Sequence, residues 1–180
     1  MKKNKGILLF AIIISFIGWI YETILLYILN GRFEDRGFIT LPFCPIYGIT
    51  ILAVYYLIGT PLGYGGLIIK GQPSGFRMLL YYFFAVLIPT VCEFFGGNLM
   101  ELFTGEVLWD YSMGDYSFGK YISLDVSLLW GLLIIGVMLL YDIVRKHLER
   151  IPNNLIERIV FTFGFAISFD YIGNMILFVT

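Results

Sequence analysis

Only two cysteines, Cys44 and Cys92, and a single histidine, His147, occur in 180 residues. One thiol falls in a loop and the other in an apolar run, so neither a disulfide framework nor a Cys-rich zinc site can be built, and nothing in the spacing brings the two together. His147 lies in the basic stretch Arg145-Lys146-His147-Leu148-Glu149-Arg150, which reads as a solvated face. One histidine supports neither an imidazole metal centre nor a catalytic triad. Charge is scarce as well: Asp, Glu, Lys and Arg make up 14% of the chain and sum to −1, with no basic patch for nucleic acid. No cofactor motif occurs, and no Gly-x-x-x-x-Gly-Lys-Ser/Thr loop, so this chain is not itself an ATPase. Low-complexity tracts and convincing internal repeats are missing too. What is abundant is apolar surface, at 59% hydrophobic and 18% aromatic residues, too much for a water-soluble domain of this size. The lipid bilayer is the expected environment.

Apolar windows long enough to span recur at about 6–29, 46–69, 77–103, 121–143 and 159–178. They predict an all-α, polytopic membrane helix bundle of about five transmembrane helices, a single integral membrane domain over residues 1–180. The first run is too long for a signal-peptide core, is interrupted by Trp19 and Glu22 and has no small-x-small cleavage site, so it reads as an uncleaved span. The second is interrupted by Gly59-Thr60-Pro61-Leu62-Gly63-Tyr64-Gly65-Gly66, a glycine-rich break that few straight helices would tolerate. A kink or loop near the cytoplasmic surface is the simpler account; a broken helix serving a ligand is the other. Lys and Arg number nine in the N-terminal tail, 70–77 and 144–158, against three in 30–45 and 104–120. The basic set should be cytoplasmic, which puts the N-terminus inside and the C-terminus outside.

Five carboxylates interrupt these runs: Glu22, Glu93, Glu101, Asp125 and Asp170. Each would cost about 2.5–3.5 kcal/mol at a bilayer centre, so such groups face a polar interior, pair with something or line a pathway. At about 1.5 Å per residue, Glu22 and Glu93 lie about 24 Å along their spans and Asp170 about 16 Å, while Glu101 and Asp125 are shallow. All five are therefore expected in the outer half of the bundle. Glu93, Gly97 and Glu101 recur at i, i+4 and i+8 with Asn98 beside them, and Asp170, Gly173 and Asn174 share a face, so a polar seam is expected. Arg32 and Arg36 in the first external loop and Lys120 in the second are the natural counter-ions, with an arginine on Glu22, Glu93 or Glu101 the leading pair. Glu101 and Asp125 read as loop-pinning groups; Glu22, Glu93 and Asp170 read as functional.

Gly31-Arg32-Phe33-x-x-Arg36-Gly37-Phe38, Cys44-Pro45-Ile46-Tyr47-Gly48, Glu93…Glu101…Trp109-Asp110-Tyr111-Ser112 and Ser127-Leu128-Leu129-Trp130-Gly131 follow one another in order. This set resembles the bacterial family of ABC transporter permeases called CmpB-like, or type IV, from about Gly18 to Gly131. The resemblance implies a small multi-pass permease of the bacterial plasma membrane and carries over Arg32, Arg36, Pro45, Tyr47, Glu93, Glu101, Trp109, Asp110 and Tyr111 as motif positions, with no catalytic role. Leu41, Ser123 and Asp125 depart from the family pattern.

Three function classes remain open. One is a transporter membrane subunit with the acidic seam as substrate or ion site and a separate ATPase subunit as partner; the stretch 145–158 could then form an amphipathic coupling helix. Another is a non-transporting envelope or accessory protein, in which buried polar groups specify packing. The last is a small intramembrane acid–base enzyme, for which paired acids without other catalytic groups are weak support, so a non-enzyme is expected. No metal site is expected, since nothing fixes a ligand count. Self-association into a homo-oligomer stays open.

Overall fold

The computed structural model describes residues 5–31, 38–69, 74–105 and 107–179. Five helices follow one another: α1 (Lys5–Asn30), α2 (Pro45–Leu57), α3 (Ser74–Thr104), α4 (Leu124–Leu148) and α5 (Asn153–Val179). Among the described residues there is no strand, only an isolated antiparallel bridge between Ser117 and Ser123. All helices except α2 are long and apolar enough to cross a membrane, so the chain is an all-α polytopic membrane protein. Many of their large apolar side chains point outward, among them Phe161, Phe165 and Phe169, which stack in succession along α5. Such a face suits lipid rather than water.

Two departures from the sequence expectation have local causes. The second apolar run is helical only to Leu57. Gly59 then turns the chain into the left-handed region at φ +80°, and Gly63, Gly65 and Gly66 follow at φ +90°, +73° and +72°. The segment folds back so that the Gly66 amide donates to Tyr55 O (3.0 Å) and the amides of Leu67 and Ile68 to Leu57 O (2.9 Å each), satisfying carbonyls that the helix end leaves open. The stretch 145–158, in turn, forms no helix of its own. α4 continues through Leu148, a tight turn bonds Arg150 N to His147 O and Ile151 N to Leu148 O, and α5 begins just after Pro152.

The chain forms two compact units, residues Met1–Ile49 with His147–Thr180, and residues Thr50–Lys146. In the first, α1 packs against α5. Lys5, at the start of α1, pairs with Glu157, one turn into α5, and the segment that follows α1 bonds Asp170, three turns further along α5. α1 and α5 therefore run parallel. The non-helical residues 38–44 enter this unit beside α1: the Cys44 amide donates to Ser15 O (2.9 Å), and the Phe43 ring sits against Phe16 and Phe163. α2 thus starts near the middle of α1, with Pro45 at its first position, where a missing amide costs nothing.

In the second unit α3 and α4 are antiparallel. Glu101 near the end of α3 meets Tyr121 just before α4, and Glu93 meets Trp130. Gly131 lets Val86 and Tyr82 press against the α4 backbone, where a Cβ would overlap them. α3 runs through Pro89 without stopping. The rest of α2 joins at the other end, where the Tyr55 and Tyr141 rings meet edge to face at 5.6 Å and Tyr81 donates to Gly59 O (3.0 Å).

Candidate functional site

The five carboxylates fall into two groups, Glu22 and Asp170 in the first unit and Glu93, Glu101 and Asp125 in the second. In the first unit, the Tyr47 hydroxyl donates to Glu22 Oε1 at 2.5 Å. Gly18, one turn before Glu22, makes this contact reachable: a Cβ there would lie 2.6 Å from Tyr47 Cγ, so the ring lies flat on bare backbone. Gly48 does the same for Ser15 and the Ala11 carbonyl. Asp170 accepts the Leu41 amide at 2.7 Å and the Asn174 side-chain amide at 3.0 Å, and Asn174 also reaches Thr40 Oγ1 at 3.4 Å. Asp170 and Asn174 do share a face, and what they hold is the non-helical segment ahead of α2. Arg32 and Arg36 lie outside the described residues.

In the second unit, Glu93 is nine-tenths buried, and its Oε1 accepts from Trp130 Nε1 (2.9 Å) and the Tyr111 hydroxyl (3.2 Å). Two motif positions, Glu93 and Tyr111, are thus brought together across 18 residues. Glu101 accepts from the Tyr121 hydroxyl at 2.7 Å and pairs with Lys120. The Tyr121 ring lies on Gly97, where a Cβ would overlap it, and meets Trp109 edge to face at 5.9 Å. Burial, and then the bond to Glu101, push the Tyr121 phenol from 10.0 to about 12. Asp125, in the first turn of α4, accepts from Ser123. Asp110 is exposed and accepts the Ser112 amide at 2.7 Å; the Ser112 hydroxyl and amide hold its carboxyl below the usual range. Asn98 is exposed and, among the described residues, bonds only back to Phe94 O at 2.6 Å, so it stands apart from Glu93 and Glu101. Cys44 and Cys92 are both free thiols.

Sequence reasoning missed Asp142 and misplaced Arg145. The Asp142 side chain is 1% exposed; its Oδ2 accepts the Leu62 amide at 3.3 Å and its Oδ1 lies 3.9 Å from Arg145 Nε. Arg145 does not belong to a solvated face. Its side chain is 14% exposed, and its guanidinium stacks 3.4 Å above the Tyr64 ring. An Asp followed three residues later by Arg near the end of an apolar run is the signal that could have marked both. Tyr121 carries no sequence signal at all, because only the fold sets it on Gly97.

Long apolar helices, with carboxylates that accept hydrogen bonds inside each unit, define a polytopic helical membrane protein. The chain belongs to the family described as "Putative ABC-transporter type IV", whose family model matches residues 8–175. That match runs beyond Gly131, where the sequence resemblance stops, through the rest of α4 and most of α5. No curated protein and no solved structure matches the chain significantly.

Proposed function

We propose that this chain is the membrane subunit of a transporter, with Glu93 as its principal substrate or ion-pathway group and Glu22 and Asp170 as further candidates. The observation that carries the reading is Glu93, a nine-tenths buried carboxylate within a spanning helix of a chain from a transporter family. A charge in that position is costly and is retained where it handles a solute or a proton. Energy comes from a separate ATPase subunit, since the phosphate-binding loop is missing here. Glu101, Asp125 and Asp110 tie the loop between α3 and α4 in place and do not contact the solute.

The chain lies in the cell membrane with its N-terminus cytoplasmic and its C-terminus external. The parallel course of α1 and α5 supports opposite sides for the two ends, and the distribution of Lys and Arg supports the direction. Single cysteines at positions 34 and 149 check this: labelling from outside at 149 but not at 34 would reverse it. Function is tested by purification from native membranes. An ATPase subunit should co-purify, and Glu93→Gln should abolish solute-stimulated ATP hydrolysis at normal membrane abundance. A wild-type chain that emerges alone and empty, or a Glu93→Gln chain that keeps full stimulation, sinks the reading.

A further inference from the structure

Residues 58–69 hold the end of the second unit where α2 stops, α3 starts and α4 ends, and they do so in two different ways. One limb, Gly66 to Ile68, is bound through its backbone amides to Tyr55 O and Leu57 O and so belongs to α2. The tip, Thr60 to Tyr64, is a turn closed on itself: Thr60 N donates to Tyr64 O (2.8 Å), Gly63 N to Thr60 O (2.9 Å) and Tyr64 N to Thr60 Oγ1 (3.1 Å). Flanking this self-contained turn are Gly59 on one side and Gly65 and Gly66 on the other, all at positive φ. The first hinge, Gly59, is bonded to α2 through its amide, which donates to Val54 O (3.0 Å), so the tip itself is fastened to α3 and α4 by side chains. Asp142 of α4 accepts the Leu62 amide, Arg145 of α4 covers the Tyr64 ring, Arg77 of α3 donates to Pro61 O (3.0 Å), and Tyr81 of α3 donates to Gly59 O.

We propose that the Thr60–Tyr64 turn is a gate that swings as one piece on its flanking glycines, and that Asp142 and Arg145 of α4 are the latch that keeps it shut. A rigid piece between glycines needs little internal rearrangement to move. Its α4 contacts are two neighbouring side chains on one helix face, so a small shift of α4 releases both together. Thr60, 1% exposed, is uncovered when the turn leaves. The device stands on these contacts alone and does not depend on what the protein carries.

The test uses the full chain in detergent with Cys44→Ser and Cys92→Ser and one reporter, Thr60→Cys. Adding Asp142→Ala should speed maleimide labelling at position 60 by about tenfold, the scale of one lost hydrogen bond to a charged group. Asp142→Asn, which keeps an oxygen for the Leu62 amide, should have a smaller effect. Unchanged labelling in Asp142→Ala overturns the latch. Amide exchange in the wild-type chain asks the same question without a substitution: the Leu62 amide, bonded across to Asp142, should exchange about tenfold faster than the Gly63 and Tyr64 amides, which stay bonded inside the turn as it swings. Exchange of the Leu62 amide no faster than that of Gly63 and Tyr64 overturns the gate.

Discussion

The two units place a carboxylate with the same three residues. In the first, Gly18 on α1 admits the Tyr47 ring, whose hydroxyl donates to Glu22 one turn later; in the second, Gly97 on α3 admits the Tyr121 ring, whose hydroxyl donates to Glu101 one turn later. Gly-x-x-x-Glu on a spanning helix, met by a tyrosine from further along the chain, is a local way to give a helix-borne acid a hydrogen bond from within the protein. The glycine removes the side chain that would hold the ring away, and the phenol supplies the hydrogen bond that water would otherwise give. The surroundings differ. Tyr47 is in the first turns of α2, fixed by a helix, and Tyr121 is in the loop before α4 with Lys120 adding a charge to the same carboxylate. One geometry thus serves a helix junction in one unit and an ion-paired loop in the other.

Filling the glycines should break the correspondence most strongly. Gly18→Leu and Gly97→Leu each drive a side chain into a tyrosine ring and should cost about 3 kcal/mol in thermal unfolding of the detergent-solubilised chain. If one is tolerated, the two arrangements are not equivalent. Next comes the loss of the hydroxyl. Tyr47→Phe should cost about 1.5–3 kcal/mol, the range for a hydrogen bond to a charged group, and Tyr121→Phe should cost less because Lys120 still holds Glu101.

Titration separates the loop tyrosine from its exposed neighbour. The Tyr121 phenol is raised on folding, so its stabilisation is complete below pH 10 and is lost as pH climbs towards about 12; an absorbance titration should lose that late step in Tyr121→Phe. Asp110 has the opposite sign: its carboxyl is depressed on folding, so its contribution is present above the ordinary value of 3.8 and fades as pH falls below it. Asp110→Asn should flatten the acid limb of stability against pH. The smallest effect belongs to Lys120→Gln, which removes an exposed pair; any loss should shrink further in high salt.

Much of this was legible in the chain. The helices stand close to the apolar windows because a bilayer demands long unbroken apolar stretches, and that requirement is written in composition. The glycine-rich break was visible for the same local reason, since four glycines and a proline within eight residues deny a helix. Its outcome was not, because whether Leu67 to Ile69 resume a helix or fold back depends on which carbonyls they find. The candidate site was half legible. Glu93 stood out as a deep acid, but its partners Tyr111 and Trp130 lie 18 and 37 residues away, and nothing local selects them from 13 tyrosines and three tryptophans. Asp142 was overlooked because it sits at the edge of its run beside basic residues, where an acid is ordinarily solvated.

The sequence by itself determined that this is a membrane protein, roughly where its helices run, which acids are expensive and which family it belongs to, because each follows from apolar length, charge position or an ordered motif. Only the tertiary structure decided which donor each acid meets, that α2 stops at thirteen residues, and that Asp142 and Arg145 grip a glycine-hinged turn. Those are contacts between distant parts of the chain. They are fixed by helix packing and by which backbone groups remain to be satisfied, and neither exists until the helices come together.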